Sequence, residues 1–473
     1  MTIIGYAVIL SYVFFLIFAV GPAVKKRTNQ ETSRKIIHTA LFMVWVFIDI
    51  FFRLTVHQII VPVVFLILNA LSYKFDLYKS VERQENNHMG TIFFAIAILV
   101  VMTIAYFQPD FYLPSGVAAF CLTLGDGMAA LVGYNTQSPL LRAHKSVNGF
   151  LACALSSALA LVFFRLVWWP DLPWADIALL AVFCAVMELT EKGWDNFTVT
   201  WGVFGMSYLM RRLPDADLRV ALIYALAVFL IVCFSRAIDY PGSLLAMVIV
   251  FCFRFFGGIS GIVFLLGTYF TIFGINKIAK AGKGKADRPK AERGWRQILI
   301  NGGLGTLFMI LYGTTKQDWC RALSLVSVAG CFIDSISSDI GSLSPRLPYD
   351  FLRGAHVPAG LSGGVTALGT LSALAFSLLI GLYAHLCVPF SLVVSALIAG
   401  FSFLQTILDT VMGSLLQVKY QCGGCGALTE RKEHCRAETV YFSGVRWIDN
   451  NVVNLFSSML VTAAAGGVLR LVL

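Results

Sequence analysis

The chain of 473 residues is far more apolar than a soluble protein. Hydrophobic residues make up 58% of it and charged residues only 13%, whereas soluble domains contain roughly 45–50% and about 25%. This composition, with a mean hydropathy of +0.78, excludes disordered, collagen-like and disulfide-scaffold proteins. It indicates an integral membrane protein.

The charge balance says more about topology than about partners. A net charge of +10 would suggest nucleic-acid binding in a soluble protein, but membrane proteins concentrate Lys and Arg in cytoplasmic loops. We therefore expect no nucleic-acid partner, and phosphate-bearing small molecules remain plausible partners for some of these cations. The 11 cysteines are an odd number, which excludes a complete disulfide framework.

Apolar runs separated by polar loops follow one another along the whole chain. In chain order they fall at 3–20, 36–52, 56–73, 92–107, 115–133, 148–168, 175–189, 197–210, 219–235, 243–256, 259–276, 298–313, 321–334, 363–386, 390–412 and 452–472. The first run lacks the flanks of a signal peptide and is expected to be an anchor. Several runs are shorter than the roughly 17–25 residues that span a bilayer, so some are expected to be re-entrant or tilted. We predict an all-α polytopic protein with about 14–16 transmembrane helices.

The loops predict an orientation and a division into halves. With the N-terminus outside, most of the 36 Lys and Arg residues fall on one side, which is then cytoplasmic. A polar stretch at 235–243 separates two long apolar blocks, and we place the halves at 1–236 and 237–473. The predicted location is the cell membrane, with the polar sites of both halves facing the cytoplasm.

Three polar clusters in the first half are not explained by apolar packing. Under the predicted topology they meet the same cytoplasmic interface, so we expect them to form one site. The clusters are Arg34, Lys35 and His38; Asp126 with Lys145 and Ser146; and Glu188 with Asp195 and Asn196.

The chemistry of these side chains points to phosphoryl transfer. Asp126 lies between two glycines, where backbone and ligand can approach closely, and a carboxylate inside the membrane is costly unless it is used. Asp126, Glu188 and Asp195 offer hard oxygen ligands for Mg²⁺, and Lys145 and Arg34 offer cations for phosphate oxygens. The alternatives are a solvated helix cap for Asp126 and simple topology or interfacial roles for the basic cluster.

The segments RKIIH, NNHMGTIFFAIAI, GDGMAALVG, HKSVNG and ELTEKGWDNFTV resemble the dolichol kinase and phytol kinase family over roughly residues 30–210. The resemblance implies phosphorylation of a membrane-embedded alcohol by a nucleoside triphosphate, typically CTP, with Mg²⁺ or Mn²⁺. It implies catalytic or metal-binding roles for Asp126, Lys145, Glu188 and Asp195, and contact roles for Ser146 and Asn196. Asn148 departs from the family pattern, which usually has an acidic residue there.

The second half carries a different polar set. Lys277 opens a basic loop, Asp334 and Asp339 flank a Ser-rich stretch that we expect to be non-helical, and Asp409 lies in a late apolar run. The Gly-dense segment 357–369 suits a close-approach turn whose following helix N-terminus faces phosphate. The remaining members are Arg293, Arg296, Gln297, Asn301, Gly360, Ser362, Gly363, Gly364, Asn450, Asn451 and Asn454.

The segments DSISSDIG, VPAGLSGG, LDTVMGSLLQ and DNNVVNLFSS resemble the phytyl-phosphate kinase family, which includes the transmembrane protein 19 type, over about residues 270–460. The resemblance implies that Asp334, Asp339 and Asp409 hold Mg²⁺ and that the Arg, Gln and Asn residues contact phosphate or nucleotide. The alternatives are a partnered buried polar residue for Asp409 and helix packing by small residues for the Gly-dense turn.

A last cluster contains Cys422, Cys425, His434 and Cys435. The CxxC spacing and the Cys₃His composition suit a structural Zn²⁺ site, and a loop of reduced thiols is the alternative. We expect this site to stabilise the local structure rather than to act in catalysis.

Taken together, these features predict a bifunctional membrane kinase. The first half would convert an isoprenoid alcohol (phytol, geranylgeraniol, farnesol or a polyprenol) to its monophosphate, and the second half would form the diphosphate. One alternative is a diacylglycerol kinase or a cytidylyltransferase-type lipid enzyme. Another is a transporter or flippase of phosphorylated lipid, since transporters place sites at interrupted helices. An oligomer is possible.

Overall fold

The computed structural model describes residues 2–75, 90–142, 145–190, 194–213, 215–235, 238–282, 294–358, 360–435 and 437–473. The chain forms two compact units, Met1–Leu226 and Ala227–Leu473. This division falls slightly before the predicted boundary between residues 236 and 237. Both units are helical, as expected from the composition, and the strands are short.

The first unit is built from apolar helices. Its helices are α1 Thr2–Phe15, α2 Gly21–Arg27, α3 Gln30–Ala40, α4 Phe42–Phe52, α5 His57–Phe75, α6 Gly90–Phe107, α7 Tyr112–Phe120, α8 Gly127–Asn135, α9 Val147–Val167, α10 Trp174–Glu188 and α11 Asp195–Arg212. Helix α12, Ala216–Ser235, begins in the first unit and ends in the second. Strands β1 Leu140–Arg142 and β2 Lys145–Ser146 pair antiparallel. A π-helical segment, Cys121–Asp126, joins α7 to α8.

The second unit combines long helices with small sheets. The helices are α13 Tyr240–Gly282, α14 Trp295–Thr315, α15 Asp318–Gly341, α16 Ala367–Cys387, α17 Leu392–Leu415 and α18 Asn450–Val472. The strands are β3 Tyr349–Asp350, β4 Ala355–His356, β5 Lys419–Cys422, β6 Leu428–Thr429, β7 Glu433–His434 and β8 Ala437–Ser443. The first two strands pair, and the others form a sheet in the order β6-β5-β8-β7.

Several of these helices begin at a polar N-cap residue, where the sequence changes from a loop to an apolar run. The Asn29 side chain accepts a hydrogen bond from Thr32 N at 2.7 Å, and the Thr366 hydroxyl accepts one from Gly369 N at 3.1 Å. Asp449 caps α18 in the same way, at 3.0 Å from Val452 N. Each cap satisfies a backbone donor that the first helical turn leaves free.

Helix α13 is broken at Gly258, whose φ of +65° and ψ of −153° are not helical. An unbroken helix of 43 residues would be about 65 Å long, twice the roughly 30 Å of a hydrocarbon core. A Cβ on Gly261 would lie 2.3 Å from the carbonyl oxygen of Phe253, so the backbones of the two segments touch beside the break. Gly258 therefore bends α13 sharply between segments 240–257 and 259–282.

Helix α15 is the centre of the second unit. Its buried residues run from Cys320 to Ile336, and the core around it gathers Phe253, Met309 and Val461 from three other helices. Helices α13, α14, α16, α17 and α18 all contact it. Side chains of α15 between Cys320 and Ile336 therefore have fixed neighbours on several sides.

Among the described residues, 12 helical segments are long and apolar enough to cross a membrane, fewer than the 14 to 16 expected. Two helices expected to cross the membrane are not among the 12. Helix α5 qualifies only as a shorter apolar helix, and α10 has 15 residues. Helix α11 has 18 residues but includes Asp195, Arg211 and Arg212. Helix α13 counts once although Gly258 divides it.

The sharp bend in α13 predicts a specific sensitivity to side-chain size. Gly261→Ala places a methyl group against the Phe253 carbonyl and should destabilise the protein by about 1–3 kcal/mol. Gly267→Ala is the matched control, because no atom lies within 4 Å of its Cβ position and alanine favours helix. Thermal unfolding in detergent should show a lower midpoint for the first variant alone. Equal midpoints would contradict the close approach at Gly261.

Candidate functional site

The buried carboxylate of Asp126 is the centre of a charged cluster in the first unit. It is 2% exposed, and its Oδ2 accepts a hydrogen bond from Lys35 Nζ at 2.6 Å. His38 Nε2 lies 3.3 Å from the same oxygen and 3.2 Å from the Leu122 carbonyl. Lys35 and His38 are one turn apart on α3, so one helix face supplies both partners of Asp126.

The glycines beside Asp126 hold the helices together rather than opening a path for ligand, contrary to the expectation from the sequence. A Cβ on Gly127 would lie 2.1 Å from Thr39 Oγ1, and one on Gly125 would lie 2.4 Å from Ser157 Oγ. Thr39 is one turn from Lys35 and donates to its carbonyl at 2.8 Å. The missing side chain of Gly127 therefore lets α3 come close enough for Lys35 to reach Asp126.

Lys145 joins two further carboxylates at the same end of the first unit. Its ammonium donates to Glu188 and lies 3.5 Å from Asp195 Oδ2. Burial lowers the pKa of Lys145, but Glu188, Asp195 and Asp126 raise it more, so the net pKa is above its ordinary value. Lys145 is therefore positively charged at neutral pH.

The three carboxylates are close enough to share a divalent cation. One oxygen from each of Asp126, Glu188 and Asp195 lies within 4.8 Å of the others. Carboxylate oxygens in that number suit Mg²⁺, which completes its shell with water and substrate phosphate. The set therefore fits the metal that the sequence predicted there.

A cavity of about 330 Å³ leads from these charges into an apolar interior. Arg34 lies at its charged end and forms a salt bridge with Glu31 at 2.7 Å. The charged end also includes Lys35, His38, Asp126, Lys145, Glu188 and Asp195, and the apolar end includes Val44, Trp45, Ile48, Val61 and Met102. The polar residue His38 lies on α3 and the apolar residues Val44, Trp45 and Ile48 lie on α4, so the cavity is polar at one end and apolar at the other.

Two predicted contact residues have structural hydrogen bonds at the rim of this cavity. The Ser146 hydroxyl accepts from Gly149 N at 3.2 Å and caps α9. The Asn196 amide donates to the Gly90 carbonyl at 3.0 Å. Both residues line the cavity. Asn69, which the sequence did not single out, also lines it and donates to the Thr91 carbonyl at 3.2 Å.

In the second unit Asp334 and Asp409 lie close enough to interact electrostatically. One turn before them, the Gln405 amide donates to Cys331 Sγ at 3.2 Å, which places α15 and α17 side by side. Ser457 donates to Asp409 Oδ1 at 3.1 Å. In the part of the chain that the structure describes, neither carboxylate forms a salt bridge.

Asn454 also binds Asp409. With its amide nitrogen facing the acceptors, it donates to Asp409 Oδ1 at 2.8 Å and to the Asn450 carbonyl at 3.2 Å. Asn450 is exposed and Asn451 is partly buried, both in the first turn of α18. The structure thus brings one of the three predicted asparagines onto a predicted carboxylate.

The Ser-rich stretch after Asp334 is helical, so the prediction of a non-helical cap is wrong. Helix α15 continues to Gly341, and its serine hydroxyls bond back to helix carbonyls instead of capping a helix end, Ser335 to Cys331 at 3.0 Å and Ser337 to Asp334 at 2.9 Å. Five helical residues turn by about 140°, so Asp339 and Asp334 lie on different faces. Among the described residues, Asp334, Asp339 and Asp409 are not gathered like the carboxylates of the first unit.

The Gly-dense segment forms a tight turn against the end of α17. Gly360 and Gly363 have φ values of +89° and +93°, which favour glycine. A Cβ on Gly363 would lie 2.6 Å from Ser414 Cα, and one on Gly364 would lie 2.4 Å from Val357. Glu430, which the sequence did not single out, accepts from Ser362 N at 2.6 Å.

Beside this turn lies a buried polar group that no sequence motif indicated. Asp350 and Lys419 are both 0% exposed; Asp350 accepts from the Ser414 hydroxyl at 2.7 Å. Burial raises the pKa of Asp350, but hydrogen bonds from Ser414 and from the backbone of Arg353 and Leu352 lower it further. Burial and the nearby Arg353 lower the pKa of Lys419. Isolated Asp and Lys residues in loops give no signal of burial.

The predicted basic entry is only partly described. Arg293 lies outside the described residues. Lys277 is exposed within α13 rather than in a loop, and Arg296 lies over the Trp295 ring at 5.6 Å. Gln297 is partly buried in the first turn of α14, and Asn301 Oδ1 is buried without a hydrogen-bond partner among the described residues.

The predicted cysteine cluster is assembled in the sheet of the second unit. One ligand atom from each of Cys422, Cys425, His434 and Cys435 lies within 4.8 Å of the others. Hydrogen bonds from the backbone of Cys425, the His434 side chain and the backbone of Gly424 lower the pKa of the Cys422 thiol to about 6. A thiolate at neutral pH is the form that binds a metal.

The Lys145 cluster predicts a double-variant result. Lys145→Met leaves the buried Glu188 without its partner and should cost about 3 kcal/mol, seen as a lower unfolding midpoint in detergent. Adding Glu188→Gln removes the unpaired charge and should recover much of the loss. Lys26→Met, at an exposed position, is the control and should have little effect. Additive losses in the double variant would contradict the pairing.

Comparisons with known proteins place the second unit in a family. The model of the family described as Integral membrane protein DUF92 matches residues 223–462. Protein PGR of Arabidopsis thaliana is 27% identical over 277 residues, which cover 51% of this chain and 93% of that protein. Uncharacterized membrane protein MJ0933 of Methanocaldococcus jannaschii is 28% identical over 188 residues, covering 39% of this chain and 77% of that protein. No solved structure matches the chain.

The family match agrees with the fold, since it covers most of the unit Ala227–Leu473 and that unit consists of long apolar helices. The resemblance of residues 30–210 to lipid kinases stays a prediction. Because the family model matches just over half of its length, the chain belongs to the DUF92 family of integral membrane proteins.

Proposed function

We propose that the protein is a bifunctional membrane kinase that phosphorylates an isoprenoid alcohol and then its monophosphate. The observation that carries the proposal is the cavity of the first unit, where three carboxylates and two lysines line one end and apolar side chains line the other. An amphipathic alcohol matches that polarity, because its hydroxyl would lie among the charges and its chain among the apolar residues.

The charged end has the groups that phosphoryl transfer needs. Lys35, Lys145 and Arg34 can neutralise phosphate oxygens, and the carboxylates of Asp126, Glu188 and Asp195 would hold Mg²⁺, which supplies charge neutralisation on the transferred phosphoryl group. A carboxylate of this set would accept the proton of the attacking hydroxyl. The new bond joins the alcohol oxygen to the terminal phosphorus, and the nucleoside diphosphate leaves.

The second unit is proposed to add the second phosphate. Asp334 and Asp409 interact with each other but have no salt bridge within the described residues, so a divalent cation would relieve their repulsion. Asn454 and Ser457 fix Asp409. The tight turn at 360–364 leads into the N-terminus of α16, where backbone N–H groups favour phosphate.

Carrying both steps on one chain has a physical advantage. The monophosphate has an apolar tail that keeps it in the bilayer, so a second site on the same chain meets it at a raised effective concentration. The choice of CTP as donor rests on the sequence resemblance.

The central test uses purified protein in detergent with CTP labelled at either the α or the γ phosphorus, Mg²⁺, and a panel of isoprenoid alcohols and monophosphates. A kinase transfers only the γ label, first to the alcohol and then to the monophosphate. Transfer of the α label would identify a cytidylyltransferase. Labelling of diacylglycerol instead of the alcohols would identify a diacylglycerol kinase. No transfer to any lipid from any triphosphate would overturn the proposal.

Single substitutions should separate the two activities. Asp126→Asn should lower alcohol phosphorylation at least about 100-fold, because losing a metal ligand costs several kcal/mol of transition-state stabilisation, and should leave monophosphate phosphorylation intact. Asp334→Asn should do the reverse and accumulate monophosphate. Product chromatography with each substrate measures both steps.

Matched controls exist for both variants. Asp110→Asn in the first unit and Asp318→Asn at the far end of α15 change exposed carboxylates and should keep both activities. If either active-site variant stays folded and loses both steps, the two-site proposal fails.

Removal of divalent ions should stop both steps. The proposed ligands are carboxylates, so EDTA should abolish transfer, and added Mg²⁺ or Mn²⁺ should restore it. Full activity after rigorous metal removal would show that these carboxylates do not act through a cation.

A further inference from the structure

We infer that Cys422, Cys425, His434 and Cys435 form a structural zinc site that fixes the sheet beside the glycine-rich turn. The Cys425 and Cys435 sulfur atoms are 3.7 Å apart. His434 Nδ1 is 3.4 Å from the first and 3.3 Å from the second. Tetrahedral zinc places two thiolate sulfurs about 3.8 Å apart and sulfur and nitrogen about 3.6 Å apart, so these three ligands need little adjustment, and the Cys422 sulfur lies within 4.8 Å of them.

The backbone forms a tight bend on each side of the site. After β5, Gly426 N donates to the Cys422 carbonyl at 2.9 Å and Cys422 N donates to the Ala427 carbonyl at 3.0 Å, which turns Cys425 back toward Cys422. Gly426 has a φ of +69°, and Cys435 has a φ of +53°. A left-handed cysteine is strained, and a bond to metal gives a reason for the strain to persist.

The sheet has little else to stabilise the part that holds the ligands. Strands β6 and β7 have two residues each, and residues 423–435 and 438 are all exposed or partly exposed. Isolated short strands are marginally stable in water, and small segments without a core use metals or disulfides as cross-links. Soft sulfur ligands with an imidazole select zinc over Mg²⁺, and four protein ligands leave no open position for chemistry.

The site has a consequence for the turn next to it. Glu430 follows β6 directly, and its carboxylate accepts from Ser362 N at 2.6 Å. Strand β6 pairs with β5, which ends at Cys422. Zinc would therefore fix the pair of strands β5 and β6, and with it the position of Glu430 against the glycine-rich turn. This inference rests on the ligand geometry and does not depend on the proposed kinase activity.

The first test is the metal content of the full-length protein purified in detergent without chelator. Mass spectrometry of the metals should find about one zinc per chain. The double variant Cys422→Ser/Cys425→Ser should lose it, whereas Cys387→Ser, which changes an exposed cysteine outside the cluster, should keep it. Zinc absent from the unmodified protein, or retained in full by the double variant, would overturn the inference.

A second measurement remains informative if the double variant does not fold. The unmodified protein is treated with a chelator and digested briefly with trypsin, which cuts after the exposed Arg431 and Lys432. Cleavage there should rise at least about tenfold and return to its starting level with added zinc. Thiol mapping by mass spectrometry provides the opposing outcome, since a Cys425–Cys435 disulfide in the purified protein would exclude the site.

Discussion

A charge placed among apolar membrane helices must be paired, and the first unit depends on that requirement. Moving an ion out of water costs several kcal/mol unless an opposite charge and hydrogen bonds replace the solvent. Asp126 meets Lys35 at 2.6 Å, and Lys145 meets Glu188 and Asp195. These pairs bring α3, the π-helical segment, β2 and the facing ends of α10 and α11 to one point, where the cavity opens.

The carboxylates of the second unit differ from those of the first in their partners. Asp409 is held by the Ser457 hydroxyl and the Asn454 amide, and neither Asp409 nor Asp334 forms a salt bridge with a basic side chain among the described residues. In both units the key carboxylate lies on the most buried candidate span, Pro109–Asn135 or Asp318–Gly341. A buried helix has neighbours on every side, so its polar atoms are fixed more firmly than those of a peripheral helix.

Glycine has two different uses in this protein. At Gly127 and Gly261 the missing side chain allows two helices to touch, and the functional effect at Gly127 is indirect, since it lets Lys35 reach Asp126. At Gly360 and Gly363 the positive φ angles form the turn itself. The sequence shows the same residue type in both cases, and only the neighbouring atoms decide whether a glycine serves packing or backbone conformation.

The sequence by itself determined the helical membrane class and the approximate limits of the apolar runs. It also indicated most of the charged residues that line the cavity of the first unit. These follow from composition, run length and the cost of an intramembrane charge, all of which are local properties. It did not determine that the Ser-rich end of α15 is helical, because serine can either bond back to a helix or cap it. Nor did it indicate Asp350, Lys419 or Glu430, whose burial or contact comes from segments far apart in the chain. In the second unit, which polar residues lie together was decided by the tertiary structure, because helix rotation and close helix contacts set the distances between side chains.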